Sequence, residues 1–168
     1  MIKKKKSLLI LTFFVLVGFA YAIPIQQQLL ANPELIASLG VNTYQSVWIQ
    51  SIMPSVTYAS WICSLFSMLF WIYSAQTGLF VSSKQALLTR LTWWIYALGL
   101  YALMVIFLYA FIFTNSGNVA PEIQYFIVLF VFPVNVIVLF WLPTALATPG
   151  TLRYIPPLAF SIRRKLGV

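Results

Sequence analysis

The charges of this chain fall into alternating gaps between four apolar runs, and no other feature constrains its fold as strongly. Lys3, Lys4, Lys5 and Lys6 precede the first run, Lys84 and Arg90 lie between the second and third, and Arg153, Arg163, Arg164 and Lys165 follow the fourth. The only two acids, Glu34 and Glu122, occupy the two remaining gaps. A chain that crosses a bilayer four times therefore puts all ten basic residues on one face and both acids on the other. Basic residues are retained on the cytoplasmic side when loops are short, so the pattern predicts an orientation with both termini cytoplasmic.

Composition supports the bilayer as solvent. The chain is 62% hydrophobic and 7% charged, whereas soluble domains are about 45–50% apolar and about 25% charged. A soluble fold of 168 residues has no interior large enough for that much apolar surface. The net charge of +8 does not read as a nucleic-acid surface, because the basic groups are split into clusters without interleaved aromatics. Anionic lipid headgroups are the expected partner. The single cysteine, Cys63, excludes an intramolecular disulfide, and the chain has no histidine and no aspartate. No metal, no cofactor and no His-based or paired-carboxylate catalysis is expected from such a set.

The expected fold is an all-α integral membrane protein, a four-helix transmembrane bundle with spans at about 7–25, 51–74, 91–113 and 123–146. The first run ends in Ala20-Tyr21-Ala22 before Pro24, and its basic start and apolar middle also fit a signal peptide. Cleavage there would leave three spans; the uncleaved form is the preferred reading. Residues 26–50 read as an outer loop holding a short helix that Pro33 starts and Gly40 ends. The third run carries eleven Leu, Ile, Val or Phe residues from Ile95 to Phe113, contributing about −3 to −7 kcal/mol to insertion at about −0.3 to −0.6 kcal/mol each. Residues 75–90 form the cytoplasmic loop, 114–122 a short outer loop and 147–168 a basic tail. Trp71, Trp93, Trp94 and Trp141 at the inner ends, with Tyr44, Trp48, Tyr109 and Tyr125 at the outer ends, read as aromatic belts. Trp61 is the mid-span exception.

Three constellations stand out. Ser60, Cys63, Ser64, Ser67 and Ser74 fall on one helical face of the second span, a seam where helix backbones can approach closely. Asn135 is the most polar side chain in the middle of the fourth span. Its expected partners are the carbonyl freed by Pro133, or Ser64 or Ser67. In the tail, Arg153, Arg163, Arg164 and Lys165 flank a proline-rich lead and suit headgroups or a cytoplasmic partner.

No span holds an ionisable side chain apart from Cys63 and the tyrosines, which argues against ion-coupled transport. The function expected first is a non-catalytic multi-pass subunit that assembles or stabilises a larger complex in a bacterial cytoplasmic membrane, bound to other membrane subunits. The alternatives are a membrane-embedded immunity or exclusion protein and an oligomeric, holin-like pore lined by serines.

Overall fold

The computed structural model describes residues 2–40, 48–77, 86–115, 119–147, 156–159, 161 and 164. The side chains of residues 2–8, 75–77 and 86–91 lie outside that description. The lysine cluster Lys3–Lys6, Lys84, Arg90, Arg153, Arg163, Lys165, Tyr44 and the 116–118 turn are therefore sequence readings only.

Four long helices and one short one form the described chain: α1 (residues 2–30), α2 (Pro33–Ser38), α3 (48–77), α4 (Ala86–Thr114) and α5 (121–147). There is no strand among the described residues. Four stretches are long and apolar enough to cross a membrane: Leu9–Leu30, Trp48–Ser74, Thr92–Thr114 and Pro121–Ala147. At about 1.5 Å per residue, each exceeds or matches a hydrocarbon core of about 30 Å. α3 and α5 pack against each other, and each also packs against both α1 and α4. Leu100, Met104 and Leu108 of α4, Met68 and Trp71 of α3, and Ile127, Phe132 and Phe140 of α5 fill the centre.

Every helix-interior proline accompanies a widened turn. π-helical turns occupy Tyr21–Ile25, which holds Pro24; Trp48–Ile52, before Pro54; Ile127–Val131, before Pro133; and Val136–Trp141, before Pro143. A proline ring clashes with the carbonyl four residues back and supplies no N–H. Bonding five residues back relieves the clash, and the N–H groups of Phe132 and Leu142 go to the carbonyls of Ile127 and Ile137. The next bond in that register would need the N–H that Pro133 lacks. The Tyr101 hydroxyl of α4 takes its place, donating to the Val128 carbonyl at 3.0 Å.

The first span runs further than the sequence suggested. Gln26–Leu30, helix-favouring residues that the sequence places at the start of the outer loop, continue α1. The helix-period stripe explains why: Ala22, Gln26 and Leu30, four residues apart, are all buried. Ala20-Tyr21-Ala22 lies inside that continuous helix, and Ala22 is fully enclosed with Ile23 and Leu139. The chain then breaks at Asn32, whose side chain accepts from the Glu34 N–H at 2.8 Å and caps α2. Gly40 follows with φ +82, a conformation that glycine adopts without cost. Ile36 is the residue that seats α2 on the bundle.

Candidate functional site

The most concentrated polar chemistry lies between α1 and α5. The Gln26 side-chain N–H donates to Asn135 Oδ1 at 2.8 Å, and Asn135 Nδ2 donates back to Gln26 Oε1 at 3.4 Å. Gln26 is 4% exposed and Asn135 1%. Asn135 is 12 residues before Ala147 and 14 after Pro121 (147 − 135 and 135 − 121), in the middle of its candidate span. In hydrocarbon such amides need partners, and head-to-tail pairing satisfies one donor and one acceptor on each. Each amide keeps a second N–H. At the next residue of α1, the Gln27 amide donates to Thr57 Oγ1 of α3 at 2.8 Å, and Thr57 in turn donates to the Pro54 carbonyl at 2.9 Å.

This arrangement corrects the expected partners of Asn135. Its bond is to Gln26, not to Ser64, Ser67 or the carbonyl freed by Pro133. Ser64 Oγ instead donates within its own helix to the Ser60 carbonyl at 2.7 Å. Of the small residues on that face, Ser60, Ser64 and Ser74 are buried, while Cys63 and Ser67 are half-buried. On α1, Gly18 brings the backbone close to Leu139 and Trp61. Trp61 itself lies edge-to-face on Phe19, ring centroids 5.3 Å apart.

Beside the amide pair, a cavity of about 160 Å³ opens between the two helices. Tyr21, Ile25 and Leu29 form one wall; Phe126, Phe130, Val131 and Val134 form the other, and Gln26 contributes to the lining. Ile25, Leu29, Phe130 and Val134 are exposed on its open side. The size is comparable to apolar cavities of about 150 Å³ that stay dry and accept a benzene ring.

At the opposite end of the bundle, the aromatics do not all form a belt. Trp71 and Trp93 are buried, as is Trp48 near the start of α3, and Trp94 alone of the four inner tryptophans is largely exposed. The Trp93 indole N–H donates to Thr144 Oγ1 at 3.1 Å, and the Trp93 ring stacks on Phe140. Ser74 Oγ and the Tyr96 hydroxyl are 3.0 Å apart, tying α3 to α4. In the tail, Arg164 is exposed, and the other three tail cations lie outside the described residues.

Protein-family models, characterised proteins and solved structures contain no match to this chain.

The functional reading therefore rests on geometry. Sequence reasoning missed Gln26, Gln27, Thr57, Tyr101 and Thr144. Gln26 carried a usable signal, since it continues the spacing of Ala22 toward Leu30; the others are ordinary polar residues whose partners only the packing reveals.

Proposed function

We propose that this chain is a non-catalytic, multi-pass subunit of a larger complex in a bacterial cytoplasmic membrane, with both termini cytoplasmic. The charge segregation supports the orientation. The observation that carries the function is the use made of polar side chains inside the bundle. Gln26 with Asn135, Gln27 with Thr57, Trp93 with Thr144, Ser74 with Tyr96 and Tyr101 with the Val128 carbonyl all join one helix to another. They act as interhelical glue rather than as a reaction centre.

The groove beside Gln26 is the proposed docking surface, and its occupant is a transmembrane helix of a partner subunit. An acyl chain fills apolar volume but offers no acceptor to the second N–H of Gln26 at this depth. A helix with a large apolar side chain and a hydroxyl or amide supplies both. Burial of Ser60 and Ser64 within one chain weighs against a serine-lined pore.

Native extraction in gentle detergent, with a photo-crosslinking residue replacing Phe130, tests this reading. A fixed set of membrane partners that crosslinks at 130, but not from the far side of the bundle at Ile106, is the expected result. A monodisperse lone monomer without crosslinks overturns it.

A further inference from the structure

After the last span, the chain returns to the flank of α5. The Trp141 indole N–H donates to the Pro157 carbonyl at 2.8 Å. Trp141 precedes Ala147, the end of the span, by six residues (147 − 141), about 9 Å along a helix. The turn at 156–159 is thus held against the side of the helix end rather than projecting beyond it. Pro156 is buried, and Ala159 is 1% exposed.

Between these two inward-facing residues, Leu158 adopts φ +61 and is 70% exposed. A leucine rarely takes this left-handed conformation, because its Cβ crowds the following carbonyl. Here the turn holds an apolar side chain away from the protein. That placement is favourable if the surroundings are themselves apolar, as at the acyl boundary of a leaflet. The charges nearby have one sign: Arg153 precedes the turn, Arg163, Arg164 and Lys165 follow it, and no acid occurs after Glu122.

We propose that the 156–159 turn is a membrane-inserted wedge, with Leu158 seated in the acyl boundary of an anionic leaflet, whose headgroups the cations that follow in sequence, Arg163, Arg164 and Lys165, match in charge. Charge complementarity selects an anionic leaflet over a zwitterionic one. The proposal concerns a surface separate from the Gln26 groove and stands whether or not a partner helix docks there.

The test uses the full-length protein on a Cys63→Ser background, with a fluorophore on a cysteine replacing Leu158. Vesicles contain phosphatidylcholine alone or mixed with phosphatidylglycerol. Quenching by lipids carrying a nitroxide near the headgroup end of the chain is expected, and stronger with phosphatidylglycerol. Quenching by aqueous iodide as complete as for free dye, in both vesicles, overturns the wedge. Leu158→Gly separates packing from insertion, because glycine favours the observed φ. Its thermal midpoint should be equal or higher, while the phosphatidylglycerol it carries through purification falls. Replacing Arg163, Arg164 and Lys165 with Gln should lower that enrichment by about fivefold per charge. Undiminished enrichment in either variant overturns the proposal, and an acidic protein segment would then be the tail's partner.

Discussion

The side chains of Gln26 and Asn135, 109 positions apart in sequence, close a two-bond amide pair that joins the first span to the last. Replacing either alone with leucine leaves the other amide buried and unpaired. The expected loss is about 0.6 to 1.7 kcal/mol, the range for hydrogen bonds between membrane helices. The double variant Gln26→Leu/Asn135→Leu removes both polar groups and should be less destabilised than the sum of the singles. A reversible unfolding assay in bicelles across all four proteins measures the coupling. Strict additivity would show that the pair holds nothing together.

Tyr101 and Pro133 form a second, less evident couple. The Tyr101 hydroxyl supplies the Val128 carbonyl with the donor that Pro133 cannot. Tyr101→Phe should therefore cost about 1 kcal/mol. In a Pro133→Ala background the backbone regains an N–H, and the same Tyr101→Phe change should become nearly silent. An equal cost in both backgrounds would detach the hydroxyl from the proline.

These pairs show which parts of the architecture were legible in sequence. The apolar runs, the break at Asn32-Pro33 and the stop at Gly40 were readable because each rests on local backbone chemistry. The π turns beside Pro24, Pro54, Pro133 and Pro143 were not legible, because a proline signals a missing donor but not the hydrogen-bond register that relieves it. The helical tendency of Gln26–Leu30 was legible, but not that this helix prolongs the first span, because three consecutive glutamines are costly in hydrocarbon without partners. An amide is tolerated inside a span when a mate exists, and the mate of Gln26 is far away in sequence. Trp71 and Trp93 were assigned to a belt by their position near span ends, whereas Thr144, Tyr96 and Phe140 draw the rings inward. The groove beside Gln26 had no sequence signature, because its walls are ordinary apolar residues contributed by two helices distant in sequence.

Two glycines should respond differently to the same substitution. A Cβ at Gly99 meets nothing within 4 Å. Gly99→Ala should therefore stabilise the helix by about 0.5–1 kcal/mol. A Cβ at Gly18 would lie 3.2 Å from Leu139 Cδ2 and 3.7 Å from the Trp61 ring. Alanine there should gain less than at Gly99. Valine should cost about 1–3 kcal/mol by forcing α1 away from its neighbours. Thermal midpoints of the three variants in one detergent decide the order, and a Gly18→Val protein as stable as Gly99→Ala would contradict the close approach.

Orientation is open to direct measurement at two exposed positions. Asn115 immediately follows α4, and Ser161 lies in the tail. On a Cys63→Ser background, a cysteine at Asn115 should react with a membrane-impermeant maleimide added to intact cells. A cysteine at Ser161 should react only after the membrane is permeabilised. The expectation follows from basic residues alone, since four alternating crossings would put Lys84, Arg90 and the tail cations on the side opposite Asn115. Moving charge should therefore move topology. Converting Lys3, Lys4, Lys5 and Lys6 to Gln while adding lysines beside Glu122 should produce a population in which Ser161 labels from outside. Because the first span usually dominates, that population should be larger than when the tail cations are neutralised instead. Identical labelling in all variants would mean that packing among the helices, rather than charge, sets the orientation.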